Sequence, residues 1–491
     1  MHTPVNTAGN PGTLCGLSYP YNRGYKVNPT LADSPIAPPH GEVFDEIYFA
    51  DFAHDDLKGV YYFDPEPPLS KLLIAAGEWG YGWWRQHVEG ATGDPADLGF
   101  VPFGWRIMPC IFGTLCVPLM YLLAFRLHPS RWFALAAGLL VCFDGMFFIQ
   151  SRIGMIDIFP IFFILLAYWV FQLHLDSRTQ TSSLVTFALT GVVLGVAIAA
   201  KWIALAAWAS IVFILAVRFF RRLVDFRIRT ASGEWRWGLG EVGLGPAIPA
   251  AANPLAYAGV FVVAFLVAPA LIYVASWWPD FFQHGYFRSL ADLWRYNVDA
   301  YQYHAHLKAT HPYGSPWYSW PFLYRPVAYY WESVGLGFDA GSGQPLAAGM
   351  VNLGNPWIWW TSLPCLLVMP YWAIRYKSYA AAVITLGFVT QYLPWSQISR
   401  VIFLYHMFGG LPFMILALAL VLGTAAEARA GFSAGDALLG WVSGRWVLVA
   451  HLAIAVLFFV YFYPVWTALP IGQSQYLDPF PYGRMWLRTW I

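Results

Sequence analysis

Charged side chains are scarce in this chain. They make up 11% of its 491 residues, against roughly 25% in soluble domains. So little polar surface excludes a protein that faces water all round. The net charge is +1 at pH 7, so no bulk field draws the chain toward nucleic acid. The five cysteines (Cys15, Cys110, Cys116, Cys142 and Cys365) lack metal-binding or redox spacing, and four fall in apolar runs. They read as small core residues, and no disulfide framework is expected. No internal repeat is visible, and no soluble stretch reaches ordinary domain size. Residues 1–40 hold no apolar run fit for a signal peptide or a first span.

Apolar and aromatic residues are abundant instead. Hydrophobic residues reach 58% and aromatics 19%, with 26 Trp, and mean hydropathy is +0.50. That aromatic content suits interfacial belts and a cavity lined for sugar or lipid. A helix crossing ~30 Å of hydrocarbon needs about 20 apolar residues. Runs of that kind start near Val101, Trp132, Ile153, Leu184, Trp202, Leu255, Val351, Tyr379, Val401 and Trp446. The expected fold class is therefore an all-α polytopic membrane protein with about ten spans.

Positive charge in short loops marks the cytoplasmic side. Residues 218–229 hold Arg218, Arg221, Arg222, Arg227 and Arg229. Counting spans outward puts Arg126/Arg131, Arg178, Arg375/Lys377 and Arg429/Arg445 on that side, with both termini opposite. The expected organisation begins with a tail at 1–40, outside the cytoplasm or disordered, and an outer loop at 41–100 with an interfacial helix. Core spans follow at 101–276, then an aromatic-rich outer stretch at 277–350, further spans at 351–468 and an outer tail at 469–491.

The stretch 41–87 is the most informative. Asp45 and Glu46 open it, Asp64 and Glu66 follow, and Pro67-Pro68 halts the backbone. Leu69–Trp84 has the apolar spacing of a helix lying in the interface plane, as a loop docked over a membrane cavity would use. Adjacent carboxylates do not easily share one role: one faces the cavity while the other is tied to backbone or a cation. A desolvated carboxylate can take a proton from a hydroxyl nucleophile. The competing reading is a solvated acidic pair.

Arg106, Arg152, Lys201 and Arg400 stand alone at the outer ends of spans. Charges at membrane depth have partners or functions, unless they snorkel to headgroups. Four on one face, opposite an acidic loop, form a candidate phosphate-binding cluster. Asp157 is expected to pair with Arg152 structurally, and Asp144 to serve similarly. His304, His306 and His311 show no compelling metal-ligand spacing. Trp317 and Trp320 suit either sugar stacking or an interfacial belt. His406 lies just inside an apolar run, where a polar group calls for a partner.

These segments resemble blocks of the protein O-mannosyltransferase family, membrane enzymes of the GT-C fold. FDEIYFADF resembles its Asp-Glu loop, and YYFDPEPPLSKLLIA its Phe-Asp-X-His-Pro-Pro-Leu-Gly-Lys segment. GWRIMPCIFGTLCVPLMYLL, FDGMFFIQSRIGMIDIFPIFF, GVAIAAKWIAL, SPWYSWPFLYRPVAYYW, LGNPWIWW and SRVIFLYHMFGGLPF are similar to further blocks, in the family's order. The resemblance runs from Phe44 to the last span. It implies transfer of mannose from a polyprenyl- or dolichyl-phosphate carrier to Ser or Thr hydroxyls of exported proteins. Inversion at the anomeric carbon is implied too, in a multi-pass protein of the plasma or inner membrane with an extracytoplasmic site.

By the same resemblance, Asp45 matches the catalytic base, Glu46 its paired acid, and Arg106 an arginine needed for activity, contacting the carrier phosphate or the Asp-Glu loop. The donor phosphate is expected at Arg106, Lys201 and Arg400, with Arg152 and His406, and loop or substrate contacts at Asp64, Glu66, Trp317 and Trp320. A phosphate bound by cations leaves without a general acid. No cofactor is expected, a divalent cation near Asp45 and Glu46 being the one candidate. The expected partners are the lipid-linked donor, a Ser/Thr-containing polypeptide and membrane lipid, with no nucleic acid.

Two departures stand out. Glu66 replaces the family's histidine, and the family's first transmembrane helix is absent from this sequence. The stretch 277–350 is too short for the MIR domain of eukaryotic members, which implies a bacterial type. The alternatives are a GT-C transferase passing another sugar, such as aminoarabinose, to a lipid, and a transporter. Transporters place charge near the midplane and often show repeats, unlike this chain.

Overall fold

The computed structural model of the chain describes residues 13–14, 17–18, 41–231, 253–427 and 444–490, with 13–14, 17–18 and 221–231 described by backbone alone. Cys15, Arg429, the side chains of Arg221, Arg222, Arg227 and Arg229, and most of the 1–40 tail lie outside the description. Thr13–Leu14 (β1) pairs antiparallel with Leu17–Ser18 (β2).

The loop region holds α1 (Glu46–Lys58), α2 (Leu69–His87) and α3 (Pro95–Gly99). Then come α4 (Pro102–Leu127), α5 (Arg131–Cys142), α6 (Gly145–Gln150), α7 (Ile158–Leu175), α8 (Gln180–Ala200) and α9 (Ala204–Ala231). After α10 (Pro254–Ser276) and α11 (Leu290–His306) follow α12 (Pro356–Arg375), α13 (Tyr379–Tyr392), α14 (Leu411–Glu427), α15 (Arg445–Thr467) and α16 (Gln473–Leu477). Among the described residues, α4, α7, α8, α10 and α15 are long and apolar enough to cross a membrane, and α5, α9 and α14 contain shorter apolar stretches.

Local chemistry sets the helix starts. Ser130, Asp144, Thr179, Asn355 and Ser378 accept hydrogen bonds from first-turn amides of α5, α6, α8, α12 and α13. Proline fills the first turn of α4, α10 and α12, where its missing N–H costs nothing. Three apolar runs begin later as helices than hydropathy suggests. Residues 151–157 form an irregular turn before α7, the run at Val351 starts as a strand, and the run at Val401 starts as a 3-10 turn (Leu404–Gly409) before α14.

The α14 helix is buried almost all round from Leu411 to Leu420, as a helix apolar on every side should be. Little of the apolar length of α10 and α15 is fully buried within the chain. Arg126 pairs with Asp176 at 3.1 Å, and Arg445 lies over the Trp132 ring at 5.1 Å. These contacts gather three of the basic loops at one end of the bundle. Arg106 lies twenty residues before Arg126 on α4, about 30 Å away along the axis.

The opposite end carries an element absent from the all-α expectation. Val327–Glu332 (β3), Leu346–Asn352 (β4) and Ile471–Gly472 (β5) form a small antiparallel sheet in the order β3-β4-β5. Nearby, α2 buries Lys71, Ile74, Ala75 and Glu78 and exposes Trp79, Trp83 and Trp84, a face suited to the headgroup level. At Gly82 a Cβ would fall 1.7 Å from the carbonyl oxygen of Pro95, so only glycine lets α2 approach α3 this closely.

Candidate active site

The acidic turn at the start of α1 is built on a strained residue. Phe44 has φ 57°, the left-handed region that side-chain-bearing residues avoid. Its ring stacks on Tyr329 at 4.1 Å and meets Tyr405 edge-on at 6.2 Å. Tyr329 is itself fixed by Asn352 Nδ2 and Gln150 Nε2, which donate to its hydroxyl at 2.6 and 3.1 Å. The β3–β4 hairpin thus holds the backbone twist that presents the next two residues.

Glu46 is wholly buried. Arg106 Nε donates to its Oε1 at 2.7 Å and Nη2 to its Oε2 at 2.5 Å. The amides of Gly154 and Val43 donate at 2.5 and 2.7 Å. A Cβ on Gly154 would sit 2.8 Å from Trp105 and 3.4 Å from the Glu46 carboxylate, which explains the glycine. Asp45 begins α1 without capping it through its side chain; its carbonyl accepts from Tyr48 and Phe49 amides. The Asp45 charge reaches Asp157, Tyr303, Tyr329 and Tyr405.

A second charged layer adjoins it. Lys71 is buried, pairs with Asp64, and donates to the Glu66 carbonyl at 2.9 Å. The Tyr296 hydroxyl accepts from the Asp64 amide at 2.8 Å and donates to the Asp64 carbonyl at 2.9 Å. Lys201, just past α8, pairs with Asp157 at 2.8 Å and lies 3.6 Å from Glu66. Burial would strip its proton, but Asp157 and Glu66 hold its pKa above the usual lysine value. Burial likewise opposes ionisation of Glu66, yet Lys201, His304, Arg400 and Lys71 keep its carboxyl below the usual range. Burial pushes Asp64 up even beside Lys71. Arg400 makes no salt bridge among the described residues; its Nη1 donates only to the Val401 carbonyl, at 3.4 Å.

Residues 36–284 match the family described as dolichyl-phosphate-mannose-protein mannosyltransferase, and residues 289–490 match the C-terminal four TMM region of protein-O-mannosyltransferase. The chain belongs to the protein O-mannosyltransferase family. The polyprenol-phosphate-mannose–protein mannosyltransferase of Corynebacterium glutamicum is 26% identical, over 86% of this chain and 81% of its own length. That of Mycobacterium tuberculosis is 25% identical, over 91% and 86%. The Saccharomyces cerevisiae protein O-mannosyltransferase Pmt1–Pmt2 complex bound to the sugar donor superposes with a TM-score of 0.64 at 14% identity, covering 88% of this chain and 87% of that one. The fold is GT-C.

Other expected site residues of this O-mannosyltransferase lie in varied surroundings. Arg152 donates to the Trp466 carbonyl at 2.9 Å and lies over the Phe148 ring. Asp157 pairs with Lys201, not with Arg152. Asp144 caps α6 and accepts from the Asn355 amide and Trp359 indole at 3.1 and 2.8 Å, tying α6 to α12. His406 accepts the Phe403 amide at 3.0 Å, and its ring stacks on Trp320 and Tyr405. Trp320 is wholly buried, its indole donating to Ser315. Trp317 is half-buried against Tyr392.

Sequence reasoning did not single out Lys71, Gly154, Tyr296 or Tyr329. Lys71 was readable as a lone cation beginning an apolar helix, seven residues after Asp64. The other three matter through contacts from distant segments, which spacing does not reveal.

Proposed function

We propose that this chain transfers mannose from a polyprenyl-phosphate carrier to Ser or Thr hydroxyls of exported proteins, with inversion and on the extracytoplasmic face of the cell membrane. One observation carries the reading: the Asp45–Glu46 turn is clamped by Arg106 into the same electrostatic cluster as Lys201 and Arg400. In this reading Asp45 is the general base. Its carboxylate takes the hydroxyl proton as the acceptor oxygen bonds to the anomeric carbon. The bond from that carbon to the phosphate oxygen breaks, and polyprenyl phosphate leaves as an anion.

Arg400 and Lys201 stabilise the leaving phosphate, Arg400 foremost because Lys201 already serves Asp157 and Glu66. Arg106 is a positioning residue: its fork holds Glu46, and through Glu46 the turn that carries Asp45. A divalent cation near Asp45 and Glu46 fits poorly, since both Glu46 oxygens already accept from Arg106 and backbone amides. The deciding experiment incubates the purified protein with radiolabelled polyprenyl-phosphate-mannose and a Ser/Thr peptide. Label on the peptide, released by β-elimination, is expected. Transfer from an aminoarabinose donor to lipid, with none to peptide, would overturn the reading.

A further inference from the structure

His304 is a half-buried titratable residue at the C-terminal end of α11, beside the charged layer of the active site. The buried face of this helix runs through Leu293, Tyr296 and Ala300. Tyr303 and His304, seven and eight residues after Tyr296, continue that face. Two anchors fix the helix. The Tyr296 hydroxyl is bonded to the Asp64 backbone, and Asn297 Oδ1 accepts from the Tyr273 hydroxyl at 2.5 Å. That hydroxyl accepts in turn from the Trp202 indole at 3.2 Å. The His304 ring meets the same Trp202 edge-on, with centroids 6.3 Å apart. Trp202 directly follows Lys201, so the end of α11 is pinned beside the lysine that pairs with Asp157 and Glu66.

The Nδ1 atom of His304 is buried and has no hydrogen-bond partner. Buried polar atoms are almost always paired, and an exception calls for a ligand, an ion, a water or a catalytic role at that atom. The charged groups acting on the ring decide which. They are Glu66 and Asp64 from the segment before α2, Lys201 from the end of α8 and Arg400 from the segment before α14. Tyr303 is its titratable neighbour on α11. Burial, with Arg400 and Lys201, holds the imidazole below its ordinary pKa and outweighs Glu66 and Asp64. The ring is therefore neutral at pH 7 and keeps one N–H to donate. A neutral donor in the field of two cations suits an anion, because it adds a hydrogen bond without adding to the repulsion between them.

We propose that His304 is a third ligand of the donor phosphate, its Nδ1–H donating to a phosphate oxygen that Arg400 and Lys201 also hold. This rests on the donor site proposed above. The bound phosphate then raises the affinity of the ring for a proton, so donor binding strengthens as pH falls. The test is steady-state transfer from polyprenyl-phosphate-mannose to a Ser/Thr peptide by the full chain, with donor and acceptor varied in turn. His304→Phe keeps a ring against Trp202 and removes both nitrogens, whereas His304→Gln keeps an N–H and cannot titrate. The donor KM should rise at least about tenfold in His304→Phe and far less in His304→Gln, with the acceptor KM unchanged in both. In the unaltered protein the donor KM should fall from about pH 8 to about pH 5, and His304→Gln should flatten that fall. A wild-type donor KM in His304→Phe would overturn the proposal, as would an effect on the acceptor KM alone. So would a pH profile that is flat in the unaltered protein or that His304→Gln leaves unchanged. No transfer at all by the unaltered protein would instead overturn the proposed function, and this inference with it.

Discussion

Replacing Arg106 by methionine separates two roles that one arginine could play. The substitution keeps most of the side-chain length and removes the cation. In the native protein the Glu46 carboxylate is 0% exposed and accepts two hydrogen bonds from Arg106, at 2.7 and 2.5 Å. Removing one partner of a buried pair leaves an uncompensated charge and costs ~3–5 kcal/mol. The Arg106 side chain is 27% exposed, so water can partly replace it, and the Gly154 and Val43 amides remain. The lower end, about 3 kcal/mol, is the expected loss.

Three measurements follow from that loss. Thermal melts in detergent should show a clear fall in Tm, and kcat should drop because the Asp45 turn is released. Adding Glu46→Gln should cost less than the sum of the two single changes, by at least about 1 kcal/mol, as directly bonded partners require. A well-folded Arg106→Met protein with wild-type Tm and kcat but a raised donor KM would refute the clamp and place Arg106 on the phosphate instead.

Asp45→Asn keeps the size of the side chain and removes the proton acceptor, so turnover should fall about 10²–10⁴-fold with donor binding retained; near-wild-type transfer would require a different base. Arg400→Met should weaken donor binding at least about tenfold, the effect of losing one charge-assisted contact, and unchanged donor titrations would remove Arg400 from the phosphate site. Burial pushes the Asp56 carboxyl up to about 7 from its ordinary 3.8, and the Tyr62 hydroxyl donates to it at 3.0 Å. A raised acid favours folding while protonated, so its contribution is full below its ordinary value and is lost as pH rises through about 7. Melts from about pH 4 to about pH 8 should show that decline, with a shallower one in Asp56→Asn; matching curves would clear Asp56 of the effect.

What the sequence determined by itself was local. Apolar run lengths, N-caps such as Ser130 and Thr179, and first-turn prolines depend on neighbours a few residues away, so the helices fall close to where hydropathy places them. The aromatic face of α2 was legible for the same reason. The ordered family blocks identified the fold, because they carry the local solutions of many sites at once.

Tertiary structure decided which charges meet. The pair Asp45–Glu46 suggests two different environments, but nothing in the dipeptide says which carboxylate is buried. That depends on Arg106, 60 residues away, and Gly154, 108 residues away. The partner of Asp157 follows the same logic. Arg152 is near in sequence, yet the return of α8 brings Lys201 closer in space. The small sheet escaped notice because β5 joins β4 from beyond the last long helix, and aromatic strands such as Val327–Glu332 look apolar in any window. Electrostatic pairing in a low-dielectric interior depends on closeness in space, not on separation along the chain, and only the folded chain sets that closeness.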